Sequence, residues 1–212
     1  MTRKVFIDCG GHHATSLKFF LKNYPSAEDF ETHSFEINPD FKVFFSKYIS
    51  SDSGKHFFYN KAVWCKDEML RFWKMDGESS TVERYMKVKS SDNIEGIDFS
   101  NWLLSNFDKK DHIILKMDIE GSEFSVLPKM FEDESIKLVD KLFIEFHYGK
   151  RRNTSIELSL NILENLIFKY NLDPLRWNAT GEDTSIDIHS LFPLFNIIMI
   201  FYFFPFFNEL NI

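Results

Sequence analysis

Short apolar runs alternate with amphipathic stretches along the whole chain. Val5-Phe6-Ile7 is an apolar triplet that ends at Asp8 and turns at Gly10-Gly11, after which Ala14 to Tyr24 repeats apolar residues at helical spacing. Thr32 to Glu36 reads as a second strand, and Pro39 opens a helix that runs on through Phe41 to Ile49. His56 to Trp64 reads as a third strand. Met69 to Trp73 and Val82 to Val88 are shorter and suit a small antiparallel excursion. Ser100 to Phe107 is expected to be a helix capped by Ser100, His112 to Ile119 the fourth strand and Glu123 to Phe131 its helix. Lys141 to His147 follows as a fifth strand, and Ser155 to Tyr170 carries Ile156, Leu160, Ile162, Leu163, Leu166 and Ile167 at helical spacing. Repeated strand-helix units with apolar strands imply an α/β fold, a mostly parallel sheet covered by helices on both faces.

Length and charge narrow the picture. With 212 residues the chain suits one domain, expected over 1–190, with the apolar segment 191–212 as its last strand. Leu191 to Phe207 is uncharged for 17 residues, short of the roughly 20 that span a bilayer and interrupted by Pro193, Asn196 and Pro205. Asn196 to Phe203 therefore reads as a buried strand, with a membrane-associating tail as the alternative. Net charge is −7, which weighs against a broad phosphate-binding surface and so against nucleic acid. The basic run Lys150-Arg151-Arg152 reads as a solvated loop near a strand end. Cys9 and Cys65 sit in or beside strands and suit a reduced, cytoplasmic setting better than a disulfide framework; the N-terminus has no signal-peptide pattern.

The chemistry concentrates at strand ends. Lys116-Met117-Asp118-Ile119-Glu120-Gly121-Ser122-Glu123 follows the apolar run Ile113-Ile114-Leu115, so a buried strand delivers carboxylates to its carboxyl end, where open α/β sheets bind ligands. Glu36 closes the next strand 28 positions after Asp8, well placed to accept both ribose hydroxyls of a nucleoside. The loop reads Gly10-Gly11-His12-His13-Ala14 and lacks the third glycine of a dinucleotide fingerprint. A nucleoside without phosphate, such as S-adenosylmethionine, fits it better than NAD.

Taken in order, Val5-Phe6-Ile7-Asp8-Cys9-Gly10-Gly11, Phe35-Glu36-Ile37-Asn38-Pro39, Ser79-Ser80-Thr81, Ile97-Asp98-Phe99, Leu115 to Glu123 and Ile144-Glu145-Phe146-His147 resemble the FkbM family of S-adenosylmethionine-dependent methyltransferases. The resemblance implies a class I methyltransferase (Rossmann-like) fold, S-adenosylmethionine as cofactor, and O-methylation of a small-molecule or glycan acceptor. It departs from the family at His12-His13-Ala14. Expected cofactor residues are Asp8, Gly10, Gly11, His13, Glu36, Asn38, Ala62 and Asp118. Methyl transfer to a hydroxyl needs the acceptor oxygen held in line and its proton removed. Asp118, Glu120 and His147 are the expected catalytic residues, serving as base or as ligands of a divalent metal. Glu123 reads as a helix N-terminal acid, and Met117 as core. Two other functions stay open, a catalytically silent S-adenosylmethionine-binding scaffold of a glycan-modifying complex and an RNA-directed methyltransferase.

Overall fold

The structure, a computed structural model, describes residues 2–50, 54–74, 79–80, 90–147, 156–172, 174–176 and 184–185. Three sequence expectations lie outside the described residues: the strand Val82 to Val88, the basic run Lys150-Arg151-Arg152 and the strand Asn196 to Phe203.

β1 (Lys4–Cys9) leads to α1 (Thr15–Asn23), β2 (Glu31–Phe35) to α2 (Lys42–Ile49), and β3 (His56–Tyr59) closes that side. The chain then makes β4 (Ala62–Trp64), β5 (Glu68–Lys74), β6 (Ser79–Ser80) and β7 (Ser90–Asp98) before returning through α3 (Phe99–Asn106) to β8 (His112–Met117). α4 (Glu123–Glu132), β9 (Val139–Ile144), α5 (Ile156–Glu164), β10 (Leu175–Arg176) and β11 (Thr184–Ser185) complete the order. The main sheet runs β11-β10-β9-β8-β1-β2-β3, parallel throughout except for the pair β10 and β11. From β3 to β10 this is the 3-2-1-4-5-6 order of a doubly wound sheet, whose switch point lies between β1 and β8.

Strand alternation explains the two-faced burial. Val5, Ile7 and Cys9 line up with Ile113, Leu115 and Met117 on one face, where Phe99 and Leu103 of α3, Phe124, Leu127 and Met130 of α4 and Ile162 of α5 cover them. Phe6, Ile114 and Phe143 point the other way, under Ala14, Leu17 and Phe20 of the first helical unit and Phe45 of α2. Phe6 stacks on Phe20 with ring centroids 3.9 Å apart.

Several boundaries differ from the sequence reading. His56 to Trp64 is not one strand: Asn60 and Lys61 break it, β3 joins the main sheet, and β4 joins a separate four-stranded sheet of order β4-β7-β5-β6. Among the described residues β5 does lie in an antiparallel excursion, paired with β6 and with β7, Ser90–Asp98. That strand is too polar to stand out by pattern. The cap of α3 is Asp98, whose Oδ1 accepts from the Asn101 N–H at 2.9 Å, while Ser100 is buried and bonds Ser135. β8 ends at Met117 and β9 at Ile144, so the strands expected to reach Ile119 and His147 stop short. The last helix gives way to a π-helical turn over Asn165–Lys169. Cys9 and Cys65 are free thiols. No helix among the described residues is long and apolar enough to cross a membrane.

Phe6→Ala should cost about 3–5 kcal/mol of unfolding free energy, because its ring is fully buried and stacked. Met69→Ala, with its side chain 67% exposed, should stay within about 0.5 kcal/mol. Paired urea denaturation curves check both.

Candidate functional site

The carboxyl ends of β1, β2, β8 and β9 meet at the switch point. Register sets Asp8 of β1 directly beside Lys116 of β8, on the same face of neighbouring parallel strands. Both side chains are buried, with Lys116 Nζ 3.3 Å from Asp8 Oδ1 and 3.3 Å from Asp118 Oδ2. The ammonium also donates to the Gly10 carbonyl at 2.7 Å. Burial alone would lower the lysine pKa, but the charges of Asp118 and Asp8 outweigh it and hold Lys116 charged above its ordinary value. Burial raises the Asp8 pKa, and Lys116 pulls against it.

The glycine loop is packed against the protein itself. Gly10 has φ +84°, and a Cβ there would lie 1.8 Å from the Asp118 carbonyl oxygen, so only glycine lets the two loops abut. A Cβ on Gly11 would meet the Phe45 ring at 2.8 Å. Gly10 and Gly11 both donate to the Phe35 carbonyl at 3.0 Å, Ala14 donates to Gly11 O, and His12 donates to Glu36 Oε2 at 2.7 Å. Asn38 donates to Glu36 Oε1 at 2.7 Å, while its own Oδ1 accepts from Asp40 and caps the 3-10 turn Pro39–Phe41. Glu36 is thus a buried carboxylate held by one backbone donor on each oxygen. Burial raises its pKa, and the N–H groups of Asn38 and His12 oppose the rise. Beside it His13 packs against Phe41 and Phe44, with ring centroids at 4.4 and 4.5 Å. Ala62 is buried with Phe72 and Ile94 in the core of the small sheet, and Ile37 packs against that cluster.

After β8 the chain turns sharply. Glu120 takes φ +57° and Gly121 φ +102°. Left-handed backbone is costly for glutamate, and here it is held by Glu123, whose two oxygens accept from Ile119 N at 2.9 Å and Gly121 N at 2.8 Å. Glu123 is fully buried, and its Oε1 also lies 3.0 Å from His147 Nδ1. β8 has ended at Met117, and this turn sets Asp118 and Glu120 facing one site with His147. His147 Nε2 stands 3.6 Å from Asp118 Oδ1, 3.6 Å from Glu120 Oε2 and 3.6 Å from Glu145 Oε1. Burial would lower the His147 pKa, but the Glu123 hydrogen bond and the charges of Glu123, Glu120 and Asp118 raise it overall. Burial raises Glu145, as do Asp118 and Glu120.

Residues 40–160 match the family described as Domain of unknown function (DUF7870). The chain belongs to this family. No curated protein matches it in sequence. Among solved structures, it is similar to the crystal structure of methyltransferase FkbM from Methylobacillus flagellatus KT, at 17% sequence identity and a TM-score of 0.48. That match covers 77% of this chain, which spans 37% of the other protein.

In this DUF7870 chain the expected catalytic trio Asp118, Glu120 and His147 comes together, and Glu36, bonded to Asn38, meets the loop that carries Gly10, Gly11 and His13 through the His12 N–H. Ala62 is grouped instead with the small sheet. Three residues carry parts of the site that sequence reasoning left out. Lys116 was signalled by being the one charge within the apolar strand Ile113 to Met117. Glu145 precedes His147 by two, a spacing that would share one side in a strand, but β9 ends at Ile144 and only the fold brings the two together. Glu123 was read as a helix N-terminal acid, and its grip on the turn and on His147 has no signature in sequence. Lys116→Met should destabilise the protein by about 3–5 kcal/mol, since it strands two carboxylates, one of them fully buried. Chemical denaturation with an unchanged denaturant slope would register it.

Proposed function

We propose that the protein is an S-adenosylmethionine-dependent O-methyltransferase acting on a hydroxyl of a sugar or glycan. The observation that carries this reading is the hydrogen bonding of the loop after β1. Of its five N–H groups, those of Gly10, Gly11, His12 and Ala14 are already bonded within the protein, which leaves no cradle for a pyrophosphate. Glu36, by contrast, has one oxygen lone pair in use on each side and one left, a match for the two hydroxyls of a ribose. A nucleoside without phosphate and with a positive charge suits a crevice whose nearby groups are Asp118, Glu120 and Glu145.

S-adenosylmethionine, when bound, supplies an electrophilic methyl group on a sulfonium sulfur. Glu36 would hold its ribose, with Asn38, His13 and the Gly10-Gly11 turn shaping the same end of the site. Asp8 acts at one remove, through Lys116, by fixing the loops of β1 and β8 against each other. Asp118, Glu120 and His147 would receive the acceptor and take up the proton that its hydroxyl must lose. Glu123 orients His147 so that Nε2 faces this space.

Calorimetry on the purified chain should detect S-adenosylmethionine and its demethylated product, and no binding to either would end the reading. Glu36→Ala should weaken binding roughly ten- to hundredfold, equivalent to about 1.5–3 kcal/mol for a charge-assisted contact. Unchanged affinity in a folded variant would move the ribose site elsewhere. With labelled cofactor and a panel of glycans as acceptors, Asp118→Asn and His147→Ala should each lower turnover by about 10²–10⁴. Turnover near wild type in both would remove the catalytic assignment while leaving the cofactor assignment standing.

A further inference from the structure

Past the ends of β8 and β9, Asp118, Glu120 and His147 turn ligand atoms toward one another, with Glu145 beside His147. His147 is 7% exposed, its Nδ1 is held by Glu123, and its Nε2 makes no hydrogen bond among the described residues. Three carboxylate oxygens face that nitrogen at 3.6 Å, beyond bonding distance for each. One oxygen each from Asp118 and Glu120 lie within 4.8 Å of each other and of a His147 nitrogen. Ligands at about 2.1 Å from a shared octahedral ion stand about 3 Å apart when adjacent and about 4.2 Å when opposite. The three atoms of Asp118, Glu120 and His147 fit such an ion after closing by a few tenths of an ångström.

Charge points the same way. Asp118, Glu120, Glu123 and Glu145 crowd one imidazole, and the lysine paired with Asp118, Lys116, is shared with Asp8. We propose that Asp118, Glu120 and His147 bind a divalent cation of the Mn²⁺ type. One imidazole with two carboxylates is too oxygen-rich for a structural zinc site, and the nitrogen disfavours calcium and magnesium. Glu123 is the positioning residue: by accepting from Nδ1 it presents the Nε2 lone pair, as carboxylate partners of metal-bound histidines do. Glu145, with its side chain 48% exposed, marks the open side where another ligand can enter. Under the methyltransferase reading the cation would replace its ligands in the base role given above, holding the acceptor oxygen and lowering its pKa so that the proton passes to solvent; the binding claim itself does not depend on that reading.

The test is titration of Mn²⁺ into the chelator-treated full chain without S-adenosylmethionine, followed by calorimetry and electron paramagnetic resonance. One-to-one binding with a nitrogen coupling from the imidazole is expected. His147→Ala should abolish the coupling, and Glu120→Gln should weaken binding at least tenfold. Glu123→Gln leaves every ligand in place and should still weaken binding by about 10–100-fold. Circular dichroism shows which variants are folded, and Glu120→Gln keeps the test decisive should His147→Ala not fold. Absence of Mn²⁺ binding by the folded wild-type chain at millimolar concentration overturns the proposal, as does undiminished affinity in folded Glu120→Gln. Because no cofactor is present, either failure leaves the methyltransferase reading to its own calorimetry.

Discussion

Everything at the carboxyl end of the sheet depends on one buried ammonium. Lys116 sits between Asp8 and Asp118 and donates to the Gly10 carbonyl, so a single side chain ties the end of β1 to the end of β8. Desolvating a lysine and its carboxylates is expensive, and an apolar replacement of the whole group would pack as well. What the ion pair adds is position. With Lys116 charged, the Asp118 side chain is drawn to one side, and its backbone carbonyl comes to rest where only glycine can face it. The tight contact between Gly10 and Asp118 is therefore a property of two loops, and neither glycine nor aspartate explains it alone.

A second carboxylate does comparable work for the other half of the site. Glu123 satisfies the N–H groups of Ile119 and Gly121, which a turn with two consecutive left-handed residues would otherwise leave unpaired in a buried place. The same oxygen that holds Ile119 also reaches His147, which arrives from the end of β9. The strain at Glu120 and the orientation of His147 thus have one cause. Acids with opposite duties lie only a few residues apart: Glu123 is consumed by structure, whereas Asp118, Glu120 and Glu145 direct charge into the space around Nε2.

Hydrogen bonding also shapes the loop after β1. It spends four of its five N–H groups on Phe35, Glu36 and Gly11, so its glycines serve close packing and not anion capture. Under the proposed function, the carboxylates of Glu36 and of the residues around His147 would suit ribose hydroxyls and cations better than phosphate, in keeping with the net charge of −7 for the chain as a whole.

The sequence by itself determined the layered α/β architecture. Apolar triplets such as Val5-Phe6-Ile7 and Ile113-Ile114-Leu115 can be buried on two faces only inside a helix-covered parallel sheet, and that burial is a local property of the pattern. It also placed Asp8, Glu36 and Asp118 at strand ends, since polar residues that terminate apolar runs mark where strands leave the core. The small sheet was only half legible: β5 shows in its alternation, but β7 is a polar strand whose pairing is a long-range matter. Tertiary structure alone decided that Asp118 and Glu120 meet His147, that Glu123 holds the turn and the imidazole, and that Lys116 links two carboxylates. The reason is physical. Periodicity records which face each residue presents, whereas the reversal at Ile119 to Gly121 and the approach of His147 arise from hydrogen bonds between segments that sequence spacing does not relate.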